Sequence, residues 1–119
     1  EADVYAFDEP SAFIDVEDRL NVADVIRDFM IKKEKCAIVV DHDVQFLDYI
    51  GDSMLVFKGE QGKEGSVIGP LTKKDGMNEV LKMLGSTYRM DQQSKRPRIN
   101  KPGSQLDKEQ KKSNKYYYA

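Results

Sequence analysis

The sequence has no tryptophan, one cysteine, one histidine and four prolines in 119 residues. With Cys36 alone there is no disulfide framework and no cysteine-based metal site. Cys36 lies in the apolar run Cys36-Ala37-Ile38-Val39-Val40, where a free thiol is expected to be a small buried hydrophobe, and a reducing cytosol is the natural compartment. His42 has no second histidine or cysteine pair to join it, which excludes an ordinary zinc site. Neither Ser11 nor Ser53 sits in a Gly-x-Ser-x-Gly elbow, which argues against a serine hydrolase. No apolar run approaches membrane-spanning length, and no signal peptide is visible, so no membrane partner is expected. There are no internal repeats. The chain begins almost on a strand without a start methionine, as expected of a segment from a longer protein.

Charge is plentiful but unevenly spread. Nine of the 19 Lys and Arg, and only three of the 21 Asp and Glu, lie from Ser86 onward, so the tail is net +6 and the rest net −8. A basic tail meets an acidic surface, either nucleic acid or the chain's own acidic body.

The first apolar stretch, Val4 to Phe7, fits a buried strand, and Asp8-Glu9-Pro10 closes it. Paired carboxylates at the C-terminal end of a strand stand where an open α/β sheet binds ligands. Asp15 to Asp18 is an acidic helix start. Apolar residues then recur at Leu20, Ala23, Ile26 and Met30, with Val22, Val25 and Phe29 alongside, a stripe for packing against a sheet. Lys32, Lys33 and Lys35 suit the helix end. Cys36 to Val40 reads as a second buried strand ending at Asp41-His42-Asp43. A right-handed strand–helix–strand unit puts Asp8, Glu9 and His42 on one edge of a mainly parallel sheet. Val44 to Ile50 is a short helix stopped by Gly51. Met54 to Phe57 and Ser66 to Gly69 form a hairpin around a Gly-rich turn. Lys74 to Leu84 is a helix stopped by Gly85.

Composition changes after Tyr88, dividing residues 1–88 from a basic tail, 89–119, in which Lys, Gln, Ser, Asn, Pro and Gly dominate. The tail is expected to be a docked strap with little regular structure, buried through Ile99, Leu106 and Tyr116, Tyr117 and Tyr118.

The order of these pieces is similar to the end of an ABC-type ATPase nucleotide-binding domain. In that resemblance Asp8 and Glu9 are the Walker B pair, Ser11-Ala12-Phe13-Ile14-Asp15 the D-loop and His42 the switch histidine. The D-loop variant, Val39-Val40-Asp41-His42-Asp43 and Asp75-Gly76-Met77-Asn78 resemble the ribosome-recycling branch, the RNase L inhibitor family. Arg96-Pro97-Arg98-Ile99-Asn100-Lys101 and Glu109-Gln110-Lys111-Lys112-Ser113 resemble its C-terminal hinge and end. Asp41 stands where Glu is usual, and Met90 where a second Arg often follows Arg89. No phosphate loop or signature motif is present in the sequence.

The resemblance implies a partial P-loop NTPase-type α/β fold, the C-terminal half of a second nucleotide-binding domain. It implies ATP and Mg²⁺ as cofactors of the parent protein, with iron–sulfur clusters only outside this chain. Asp8 would help position Mg²⁺ through water, Glu9 would polarise the attacking water and His42 would hydrogen-bond the γ-phosphate. Ser11 and Asp15 would bind the nucleotide as part of the D-loop that couples the two sites, and Arg89, Arg96, Arg98, Asn100 and Lys101 would form the hinge. The implied partners are the first nucleotide-binding domain, the small ribosomal subunit and termination factors, and the chain alone is expected not to hydrolyse ATP. The competing reading is a small α/β binding module whose basic, tyrosine-ending tail binds RNA or an acidic protein through phosphates and stacking.

Overall fold

The computed structural model describes residues 2–118. The chain divides into two compact units, Glu1–Gly51 and Asp52–Ala119. The compositional break near Tyr88 falls inside the second unit.

In the first unit, β1 (Val4–Asp8) and β2 (Cys36–Val40) pair in parallel, from Val4 opposite Cys36 to Asp8 opposite Val40. The connection is α1 (Val16–Lys33), the long crossover that a parallel pair needs. Glu17 and Asp18 lie in its first turn, and Lys32 and Lys33 in its last, each complementing the helix dipole. Glu34 ends it in the left-handed region, its N–H bonding Ile31 O, and the Lys35 N–H returns to Met30 O. α2 (Val44–Ile50) is capped by Asp43, whose carboxylate accepts the Phe46 N–H at 3.1 Å. Ala23, Phe46 and Ile50 form the core, with Val22, Ile26 and Val39 packed on it. Tyr5 meets Phe29 edge-on at 5.7 Å.

Both strands were expected to be buried, and this is corrected. Exposure alternates along each, so Tyr5, Phe7, Ala37 and Val39 are half-buried while Val4, Ala6, Ile38 and Val40 are exposed. Cys36 is exposed, not a core residue. The reason is register: position 36 shares its face with Ile38 and Val40, opposite the face on which Val39 joins the helical core. On α1 the stripe holds at Ala23 and Met30, whereas Val25 and Phe29 are exposed.

In the second unit, β3 (Ser53–Glu60) and β4 (Glu64–Thr72) make an antiparallel hairpin, longer at both ends than the apolar residues indicate. A three-residue connection can only return antiparallel, as in the expected hairpin, so the parallel pairing is that of β1 with β2. α3 (Lys73–Leu84) starts at the Thr72 hydroxyl, which accepts the Asp75 N–H at 3.1 Å, and ends at Gly85 with φ 67°. It lies so close to β3 that a Cβ on Gly76 would stand 2.6 Å from the Met54 Cβ. Val56, Met77 and Leu81 are buried.

The expectation of a largely irregular tail is narrowed. β5 (Tyr88–Met90) and β6 (Pro97–Ile99) form a short antiparallel ladder, and α4 (Gln105–Lys112) is a two-turn helix. Ser104 caps α4 by accepting the Asp107 N–H. Ile99 and Leu106 are exposed and do not anchor the tail; Tyr88 and Tyr117 do, with a buried polar cluster of Thr87, Asn100 and Asp107. A polar segment can be ordered this way because, among the described residues, each buried side-chain N or O atom finds a partner.

Candidate functional site

Strand direction brings the first group together. β1 and β2 run parallel, so the residues after Asp8 and after Val40 emerge from the same edge. The Glu9 N–H donates to Val40 O at 2.6 Å, continuing the ladder one step past the strand. The chain then turns sharply: Glu9 has φ 50° and Phe13 φ 62°, both in the left-handed region that non-glycine residues adopt at a cost. The turn is held by Ala12 N–H to Glu9 O and Ile14 N–H to Ser11 O.

Across this edge, Nε2 of His42 lies 2.5 Å from Oε1 of Glu9. The imidazole is 90% exposed and the carboxylate 43%, so the pair faces solvent. Asp8 is the last residue of β1 and is exposed beside it. Ser11, by contrast, is buried. Its hydroxyl donates to Asp41 Oδ1 at 2.7 Å and its N–H to Asp41 Oδ2 at 3.0 Å. Burial pushes the Asp41 carboxyl up, but hydrogen bonds from Asp43, Ser11 and the His42 backbone outweigh it and hold the pKa below the usual aspartate value. Asp15 plays a local part, its carbonyl accepting the Asp18 and Arg19 N–H groups at the start of α1, with no side-chain cap.

Two residues missed in the sequence complete the site. Arg19 donates through Nε to Ile14 O at 3.0 Å and pairs through Nη1 with Asp43 Oδ2 at 2.6 Å, tying the loop after β1 to the loop after β2. Asp41 does the same from the other side. Their signal was faint: an arginine one turn into a helix, and an acidic residue next to the single histidine.

The hinge candidates lie in the second unit and split in two. Arg89 Nη1 donates to Asn100 Oδ1 at 2.9 Å, and Asn100 Nδ2 donates to Thr87 Oγ1 at 2.9 Å and Gln110 Oε1 at 2.6 Å. Arg98 stands opposite Arg89 in the β5–β6 ladder. Arg96 and Lys101 are exposed and contribute backbone carbonyls, to the Asp91 and Ser104 N–H groups.

A carboxylate pair and a histidine thus meet at the C-terminal edge of parallel strands, where α/β proteins bind their ligands, with a tight loop leading into a helix. No protein-family model matches the chain. It is 52% identical over its full length to an uncharacterized ABC transporter ATP-binding protein of Methanocaldococcus jannaschii, and 44% identical over 117 residues to translation initiation factor RLI1 of Saccharomyces cerevisiae. It spans 20% of the first and 19% of the second. Among solved structures it is similar to the archaeal ribosome recycling factor aABCE1, in its complex with the ribosomal stalk protein aP1, with a TM-score of 0.91 at 50% identity, covering 100% of this chain and 23% of that one. A model of ribosome-bound archaeal Pelota and ABCE1 gives 0.92 at 50% identity, over 100% of this chain and 20% of that one. Over its whole length, therefore, the chain matches a fragment of the RNase L inhibitor family of ABC-type ATPases.

Proposed function

We propose that this chain is the part of an ABC-type ATPase that supplies Asp8, Glu9, the Ser11–Asp15 loop and His42 to a nucleotide site, and that the parent protein couples ATP binding and hydrolysis to splitting and recycling of ribosomal subunits. The observation that carries the reading is the contact of Glu9 with His42 at the C-terminal edge of a parallel pair. A carboxylate that can take a proton, beside an imidazole that can donate one, suits attack of water on a phosphoryl group.

Asp8 fits a Mg²⁺ ion, because it is an exposed, acceptor-only oxygen ligand at the strand end. Among the described residues no group of three or more His, Cys, Asp or Glu gathers to hold a metal. That agrees with an ion held by one carboxylate, water and phosphate oxygens. When bound, Mg²⁺ would neutralise phosphate charge. Glu9 orients and deprotonates the water. His42, whose Nε2–H now faces Glu9, turns that donor to the γ-phosphate. Ser11 to Asp15 present a loop whose exposed tip, Phe13, meets the opposing nucleotide site. In the second unit Arg89, Arg96, Arg98, Asn100 and Lys101 form the hinge to the first nucleotide-binding domain. The wider partners are the small ribosomal subunit and termination factors, in the cytoplasm. The names of the similar proteins support this: an archaeal ribosome recycling factor with a stalk protein, and ABCE1 bound to the ribosome with Pelota. Among the described residues no helix is long and apolar enough to cross a membrane. With a single cysteine in this chain, any iron–sulfur cluster belongs to another part of the parent.

The RNA-tail reading needs open tyrosine faces. Tyr117 is buried with its ring centroid 4.5 Å from that of Tyr118, the two planes tilted by 40°, and the Tyr116 backbone is bonded to Asn78, which favours the ATPase reading. The test is ATP hydrolysis by the parent protein with Glu9→Gln. Glutamine keeps the size and a hydrogen-bonding group but cannot take the proton, so turnover falls by about 10²–10⁴-fold while ATP stays bound. Turnover unchanged by Glu9→Gln overturns the reading. The 119-residue chain alone is expected to release no phosphate; Glu9-dependent release would show it to be a self-sufficient ATPase.

A further inference from the structure

Two loops leave the edge of the parallel pair, one carrying Glu9 and the other His42, and one carboxylate joins them. Asp41 accepts both the N–H and the hydroxyl of Ser11, and its Oδ1 also accepts the Asp43 N–H at 2.9 Å. Two bonds to one residue fix orientation as well as distance, and Ser11 is buried, so water competes poorly for them. The loop they hold is one that needs holding. Glu9, two residues before Ser11, is in the left-handed region, and its place depends on the Val40 carbonyl behind it and the Asp41–Ser11 bonds ahead of it. His42 follows Asp41 directly, so the anchor that fixes the Glu9 loop is also the root of the histidine. The Glu9–His42 contact itself is exposed, and a solvent-screened pair does little to hold its own geometry.

We propose that Asp41 is a positioning residue for the proposed hydrolysis, its carboxylate latching the Ser11 loop to the His42 loop so that general base and imidazole stay in register. The proposal rests on the reading of Glu9 and His42 as the hydrolytic pair. Asp41 remains ionised in this role, because the hydrogen bonds it accepts outweigh the cost of its burial. Arg19 braces the same two loops through Ile14 and Asp43, so losing Asp41 loosens the latch without releasing the loops altogether.

The experiment uses the full-length protein with Asp41→Asn, Asp41→Glu, Ser11→Ala and the Asp41→Asn/Ser11→Ala double variant, beside Glu9→Gln. Steady-state kinetics separate kcat from KM for ATP, and hydrogen exchange without nucleotide follows residues 9–15. Asp41→Asn lowers kcat by about 10- to 100-fold, as a misplaced catalytic group does, with KM within about twofold. Exchange over residues 9–15 rises. Asp41→Glu keeps the charge and both acceptor oxygens and recovers most of kcat. Asp41→Asn keeps one acceptor oxygen and turns the other into a donor, so the two Ser11 bonds are no longer both made, and Ser11→Ala costs less in that background than it does alone. An unchanged kcat in Asp41→Asn, or a double variant whose losses multiply, overturns the latch. If Asp41→Asn does not fold, Ser11→Ala alone decides: unaltered kcat and unaltered exchange overturn it. Loss of turnover in Glu9→Gln without loss in Asp41→Asn removes the latch and leaves the site reading standing, whereas normal turnover in Glu9→Gln removes both.

Discussion

The Oδ1 of Asn78, on α3, accepts the backbone N–H of Tyr116 at 2.8 Å, 38 residues further along the chain. The Tyr117 N–H reaches the same oxygen at 3.4 Å. One amide thus holds the end of the chain to the helix, while the Tyr116 carbonyl accepts the Tyr88 N–H at 2.8 Å. Removing it takes the acceptor away from the partly buried Tyr116 N–H. Asn78→Ala is expected to destabilise the second unit by about 1–3 kcal/mol and to raise hydrogen exchange over residues 115–118. Asn78→Asp retains an acceptor and costs less. Equal exchange in Asn78→Ala and the parent would mean that the tyrosine rings alone hold the tail.

Asp107 gives the tail a pH dependence. The carboxylate is buried, accepting the Thr87 hydroxyl at 2.6 Å and the Gly103 N–H at 3.0 Å, with Lys111 at 3.1 Å. The Thr87 and Gly103 bonds, aided by Lys111, outweigh its burial and lower its pKa from 3.8 to about 2. A group whose folded pKa is depressed stabilises the fold above its unfolded value, and the contribution is lost as pH falls through the folded one. The second unit is therefore expected to lose stability between about pH 4 and pH 2. Asp107→Asn should melt lower at neutral pH and show a flatter melting temperature across that window. Thermal melts of both proteins from pH 7 to pH 2 check this; parallel curves would contradict it.

Gly76 reverses a usual rule. In a helix, Gly→Ala is ordinarily worth about 0.5–1 kcal/mol of added stability. Here the new Cβ would meet Met54 Cβ at 2.6 Å and its Sδ at 2.9 Å. The thioether can swing aside, but the Cβ is fixed to the β3 backbone, so α3 must shift off the hairpin. Gly76→Ala is expected to be destabilising by about 1–3 kcal/mol, as for other overpacked cores. Denaturant unfolding measures it, and a raised midpoint would show that α3 has room to move.

Much of the layout was legible because its signals are local. The acidic start and lysine-rich end of α1, the Gly51 and Gly85 stops, and the short β-branched runs each act over a few residues, and the helices and strands stand where those signals put them. The convergence of Glu9 and His42 was legible for a related reason: strand, helix and strand in that order leave few ways to connect, and a parallel pairing sends both strand ends to one edge.

Other features depend on distant partners. α4 has a polar sequence, Gln-Leu-Asp-Lys-Glu-Gln-Lys-Lys, and apart from the Ser104–Asp107 cap it carries little to distinguish it from coil. It is fixed because Asp107 finds Thr87 and Gln110 finds Tyr88 O, 20 and 22 residues away. Cys36 and Val39 belong to one apolar run, yet the first is exposed and the second packs on the core, since pleating sends them to opposite faces and only the packing of α1 and α2 selects which is covered. The Asp41 carboxylate meets Ser11 30 residues back in the chain. Propensity, caps and strand order act through the neighbouring backbone and can be read along the chain, so the sequence by itself determined the succession of elements from β1 to α3 and the edge on which Glu9 and His42 meet. The partner of a buried carboxylate, and the face of a strand that is covered, are set by which segments the fold brings within hydrogen-bonding or van der Waals range, and those the tertiary structure alone decided.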